Sequence, residues 1–138
     1  MQRRDFIKTV TAGVGGLTVF GAHGQSAAPA KKKVRVALIG CGGRGVGQLL
    51  AECCKEHVVA LVDPDRHCIE AGFAQVRKAD PSADTGAIKT FSDYRKFFDV
   101  MAKDVDAVVI ATPNHQHAPP ALLVIRHGIH AYVEKPLT

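Results

Sequence analysis

Three stretches of this 138-residue chain place glycines and side chains at spacings that chemistry can use. In Gly40-Cys41-Gly42-Gly43-Arg44-Gly45, three glycines stand in G-x-G-x-x-G register between an apolar run and a helix-periodic one. Each has a mechanical reason: Gly40 for a tight turn, Gly42 so that main chain approaches a diphosphate, Gly45 for close packing of helix on strand. The helix start that follows presents unpaired N–H groups and partial positive charge to such an anion. Asp63 lies eighteen residues beyond Gly45, near the spacing expected of an acid that accepts hydrogen bonds from an adenosine ribose. The second stretch, Ala111-Thr112-Pro113-Asn114-His115-Gln116-His117, and the third, Tyr132-Val133-Glu134-Lys135-Pro136, each follow an apolar run, where ligands meet an open parallel sheet.

An aspartate at position 63 repels a 2′-phosphate, so the pattern favours NAD over NADP, with Arg44 and Arg66 able to soften that preference. His115 and His117 stand two apart without a clustered carboxylate or cysteine, which points to hydrogen-bonding groups rather than metal ligands. Cys41, Cys53, Cys54 and Cys68 lack paired C-x-x-C spacing, so no metal site is expected and buried thiols are the default reading.

These residues need elements to position them. Continuous apolar runs predict buried parallel strands at 34–39, 57–62, 105–111 and 130–133, with a shorter one at 88–91. Helical periodicity covers 46–54, and further helices are expected at 65–78, at 93–98 behind a Ser92 cap, and from Pro119 and Pro120 to Arg126 with Gly128 as the stop. The polar stretch 79–86 reads as a loop. Alternating strand and helix predict an α/β fold with a doubly wound parallel Rossmann sheet.

The first thirty residues fall outside that pattern. Arg3-Arg4-Asp5-Phe6-Ile7-Lys8, a mild apolar stretch from Thr9 to Phe20 and a small-residue segment to Ala30 read as a twin-arginine signal peptide covering residues 1–30. Its apolar part, about a dozen residues, is too short for roughly 30 Å of hydrocarbon, so export to the periplasm or beyond is expected, without a membrane anchor. Cargo of that route folds in a reducing cytoplasm, which agrees with free thiols. Loss of the leader takes the formal charge from +5 to +3. No basic stripe with interleaved aromatics follows, so nucleic acid is not an expected partner.

Taken in order, "GCGGRG", "ATPNHQH" and "YVEKP" make residues 33–138 resemble the N-terminal half of the glucose-fructose oxidoreductase, inositol dehydrogenase and MocA family of NAD(P)-dependent oxidoreductases. The resemblance implies that residues 31–138 form the cofactor domain. Gly40, Cys41, Gly42, Gly43, Arg44, Gly45 and Asp63 then hold the dinucleotide, together with Thr112, Pro113, Glu134 and Lys135, while Asn114 and His117 line its nicotinamide end. Lys135 becomes the catalytic residue beside the nicotinamide, acting in substrate binding and proton relay.

Family members continue into a larger α/β domain that shapes a sugar or cyclitol pocket, and the full-length proteins are expected to be homo-oligomers. That domain is missing from the 138 residues, so the chain reads as a truncated member, inactive alone. Two alternatives stand beside the oxidoreductase reading. One is an NAD-dependent glycosidase of the same superfamily, and the other is a non-catalytic nucleotide-binding fragment.

Overall fold

The computed structural model describes residues 32–137. The expected leader lies outside the described residues. Five strands, β1 (Arg35–Ile39), β2 (His57–Val62), β3 (Lys89–Phe91), β4 (Ala107–Ile110) and β5 (His130–Val133), form one parallel sheet in the order β3-β2-β1-β4-β5. The strands at 57–62 and 130–133 match the sequence reading, and the others shorten by one to three residues. Strand order reverses between β1 and β4, which opens a crevice above their carboxyl ends.

Alternation along β1 divides the core. Ala37 and Ile39 join Phe97, Phe98, Val108, Ile110 and Val124 on one face, and Val36 and Leu38 join Leu50, Leu61, Ile69 and Val76 on the other. The first face is covered by α3 (Tyr94–Met101) and α4 (Ala118–Arg126), the second by α1 (Leu50–Cys53) and α2 (Arg66–Ala79). A register shift between Val36 and Ala37 leaves Val59 as an extra residue in β2. Val58 and Ala60 therefore serve opposite faces although they are two apart, and that bulge feeds both layers.

Local chemistry sets the helix ends. Asp65 caps α2 by accepting the His67 N–H at 2.8 Å. Asp93, not Ser92, caps α3, because its carboxylate accepts the Arg95 N–H at 2.8 Å, and the helix consequently starts one residue later and runs on to Met101. Pro119 and Pro120 occupy the first turn of α4, and Gly128, with φ of 67°, ends it. The expected first helix opens as a π-helical turn, Gly45–Leu49, whose last bond runs from the Leu50 N–H to the Gly45 carbonyl.

Arg35 reads in sequence as a blemish in an apolar strand. In the fold its Nε and Nη2 donate to Asp106 at 3.1 and 2.8 Å, and its main-chain N–H adds a third bond to the same carboxylate at 2.8 Å. This fork ties β1 to the start of β4 at the sheet's amino edge, opposite the crevice. No helix among the described residues is long and apolar enough to cross a membrane.

Candidate functional site

The turn after β1 is built by exclusion of side chains. Gly40 has φ of 92°, and a Cβ there would sit 2.6 Å from the Ala111 carbonyl carbon. At Gly45 an added Cβ would meet the Gly40 carbonyl oxygen at 2.0 Å, so the helix start is pressed against the strand end. Gly42 and Gly43 differ: a Cβ on either would meet nothing within 4 Å. Two glycines are needed for packing, and two leave open space where a side chain would stand.

Asp63, at the end of β2, accepts the Cys41 N–H on one carboxylate oxygen and the Asp65 N–H on the other, each at 2.8 Å. It thereby braces the glycine turn. A carboxylate has about four lone-pair sites, so acceptor capacity remains for hydroxyls arriving from the crevice. Gly40, Gly42, Gly43, Arg44, Asp63, Ser92, Tyr94, Thr112 and Pro113 border a cleft of about 420 Å³. In sequence Ser92 reads as a helix cap and Tyr94 as a helical residue, neither as part of the cleft, although the carboxyl-edge rule applied to the strand at 88–91 would have reached them.

A second hollow of about 290 Å³ continues past Thr112, bordered by Arg44, Ala111, Thr112, Asn114, His117, Glu134 and Lys135. The fold therefore brings together residues ninety-one positions apart, from Arg44 to Lys135. Lys135 is exposed, and a cis bond joins it to Pro136. Glu134 is nearly buried and pairs through Oε2 with the Arg44 Nε at 2.8 Å, while the Tyr132 hydroxyl reaches Oε1 at 3.3 Å. The bond to Arg44 holds the Glu134 carboxyl below its usual range, against the opposing effect of burial.

For two of the expected cofactor residues the structure shows where the side chain lies. His117, expected to line the nicotinamide end, is 1% exposed, with Nδ1 at 2.5 Å from the Pro136 carbonyl oxygen and Nε2 at 2.7 Å from that of Thr112. Both ring nitrogens face main-chain carbonyls at the ends of β4 and β5, and the residue borders the hollow that Lys135 also borders. Cys41, expected at the dinucleotide, turns its thiol into the core and gives its amide to Asp63. Burial pushes that thiol up to about 12 and the buried Cys53 to about 11. Cys54 and Cys68 are only half-buried, so the expectation of buried thiols holds for two of four.

With the crevice at the strand-order reversal, the open space at Gly42 and Gly43 and the acid after β2 in place, comparison with known proteins identifies the architecture. A family model described as an oxidoreductase family with an NAD-binding Rossmann fold, the glucose-fructose oxidoreductase, inositol dehydrogenase and MocA group, matches residues 34–138. The chain belongs to this family. Within it, the chain is 30% identical to a glycosyl hydrolase family 109 protein of Shewanella sp. (strain W3-18-1), over 99% of this chain and 34% of that protein. It is also 30% identical to a 2,7-anhydro-N-acetylneuraminate hydratase of Mediterraneibacter gnavus, over 77% of this chain and 25% of that one.

Among solved structures, the WlbA (WbpB) dehydrogenase of Thermus thermophilus in complex with NAD and alpha-ketoglutarate superposes with a TM-score of 0.60 at 27% identity, covering 76% of this chain and 33% of that one. An oxidoreductase of Agrobacterium radiobacter in complex with NAD+, L-tartaric acid and magnesium gives 0.62 at 25% identity, covering 78% and 29%. The chain thus spans about a third of the length of the proteins it matches. It is the NAD-binding domain of a family whose structural neighbours are NAD-dependent oxidoreductases.

The residues of this Gfo/Idh/MocA domain fit NAD. Gly42 and Gly43 border space that a Cβ would fill, as a diphosphate requires, and Asp63 keeps acceptor sites for ribose hydroxyls while its charge opposes a 2′-phosphate. The two hollows meet at Ala111 and Thr112, so one elongated ligand can run from Asp63 to Lys135.

Proposed function

We propose that this domain serves an exported enzyme that draws a hydride from a CH–OH carbon of a sugar or cyclitol, with Lys135 handling the hydroxyl proton. The observation that carries the reading is the position of Lys135, at the carboxyl end of β5, in the hollow that continues the dinucleotide cleft. NAD, when bound, supplies the hydride acceptor. The chain's own contribution is orientation and proton movement. The glycine turn receives the diphosphate, Asp63 receives the adenosine ribose, and Thr112, Pro113 and Asn114 flank the passage toward the lysine.

The exposed Lys135 ammonium donates to a substrate hydroxyl oxygen, and in its neutral form Nζ takes that hydroxyl's proton as the C–H bond gives up its hydride. The rest of the substrate pocket, and any homo-oligomeric contact, belong in this proposal to the two thirds of the relatives' length that these 138 residues do not span. The export leader read in residues 1–30 belongs to the same proposal and rests on the twin-arginine pattern of Arg3-Arg4-Asp5-Phe6-Ile7-Lys8.

A second reading has its own support in the printed name of that relative, a glycosyl hydrolase. In it the same hydride abstraction would be followed by proton loss from the neighbouring carbon, elimination of the glycosidic leaving group, addition of water in its place and return of the hydride, with no net change in the cofactor. Calorimetric titration of the 138-residue chain with NAD is expected to show saturable heat, and its absence would sink both readings. In a protein carrying the relatives' full length, net NADH formation on a free sugar selects the first reading, and glycoside cleavage without NADH accumulation selects the second. Lys135→Met there is expected to leave NAD affinity within about threefold and to cut turnover by about 10²-fold or more; retained turnover would remove the lysine from its role.

A further inference from the structure

The Arg44–Glu134 pair crosses the crevice. Arg44 comes from the glycine turn after β1 and Glu134 from the end of β5, two strands away in the sheet, with the end of β4 between them. Arg44, Ala111 and Thr112 border both hollows, and of these three Arg44 alone is charged. Its guanidinium meets Glu134 through Nε at 2.8 Å. The side chain is 58% exposed while its partner carboxylate is 8% exposed.

A nearly buried carboxylate demands a partner, and an exposed guanidinium does not. Glu134 therefore holds Arg44 in place through Nε, and a guanidinium is a planar fork that carries five N–H donors, so donors remain for a further acceptor beside both hollows. Such a fork suits the oxygens of a diphosphate. Resting on the dinucleotide reading above, we propose that Glu134 is a positioning residue that aims Arg44 at the diphosphate of the bound cofactor, making the pair a clamp across the crevice.

Titration of the 138-residue chain with NAD, with ADP and with adenosine, for the parent and for Arg44→Gln, Glu134→Gln and the double variant, separates the outcomes. Arg44→Gln is expected to weaken NAD and ADP about tenfold each and adenosine not at all, since only the first two carry a diphosphate. Glu134→Gln is expected to weaken NAD and ADP about three- to fivefold, and the double variant to match Arg44→Gln, because a positioning residue has nothing left to position. Tighter NAD binding by Glu134→Gln would show that the acid competes with the cofactor for Arg44 and would overturn the proposal. Additive losses, or equal loss for adenosine, would overturn it as well. Each variant's melting temperature without ligand reports folding, and failure of the parent to bind NAD would count against the proposed function rather than against the clamp.

Discussion

At the scale of single residues, the glycines of the first turn separate into two jobs that one motif letter conceals. Gly45→Ala forces a Cβ to 2.0 Å from a main-chain oxygen, so chemical denaturation is expected to show a loss of about 2–3 kcal/mol or more. Gly42→Ala meets no atom within 4 Å, so stability should stay within about 0.5 kcal/mol while NAD affinity falls, since the new methyl takes space meant for the diphosphate. Equal stability losses at both positions would contradict this division. His117→Ala removes a ring packed at 1% exposure between the Thr112 and Pro136 carbonyls, at least one of which loses a donor, and should cost about 2–4 kcal/mol. Cys41 and Cys53 are held as thiols by burial, so iodoacetamide at pH 8 should mark the half-buried Cys54 and Cys68 before either, as peptide mapping would show.

At the scale of elements, the sheet is pinned at its two edges by different means. The carboxyl edge relies on His117 and the Arg44–Glu134 pair, and the amino edge on the Arg35–Asp106 fork. Hydrogen bonding from the Arg35 side chain, then from its main-chain N–H, lowers Asp106 from the ordinary aspartate range to about 2. A carboxyl that ionises more readily folded than unfolded stabilises the fold above its unfolded pKa, roughly 3.9, and that contribution disappears as pH falls toward 2. Glu134 and Asp80, also lowered, act with the same sign. Acid unfolding followed by circular dichroism should therefore steepen between about pH 4 and pH 2, and Asp106→Asn should flatten that limb while lowering stability at neutral pH.

At the scale of the whole molecule, the domain presents an open edge. Among the described residues β5 pairs only with β4, and Tyr132 and Leu137, near Lys135 in sequence, are 54% and 58% exposed. The hollow beside Lys135 is bordered by Arg44, Ala111, Thr112, Asn114, His117 and Glu134, all from the ends of β1, β4 and β5, and the proposed function leaves the rest of the sugar pocket to the length of the relatives that the 138 residues do not span. The 138-residue chain is accordingly expected to bind NAD without turning over any sugar or cyclitol. Ligation should show as a rise in melting temperature, since free NAD at a hundred times its dissociation constant adds about 2.7 kcal/mol. Turnover by the chain alone would contradict the assignment of the remaining pocket to residues beyond it.

Much of this was legible without coordinates, for a physical reason: parallel strands buried on both faces need unbroken apolar runs, and a diphosphate turn needs glycines at set intervals. The runs ending at Ile39, Val62, Ile110 and Val133, with Gly40, Gly42, Gly45, Asp63 and Lys135 after them, announced the sheet, its ligand edge and the family. What the sequence left undecided was everything set by direction. That His117 faces two carbonyls, that Cys41 turns inward, that Asp93 displaces Ser92 as a cap and that Arg44 meets Glu134 ninety positions later all depend on side-chain orientation. Orientation follows from which strands lie side by side, and only the folded sheet, by placing β4 between β1 and β5, brings those partners within reach.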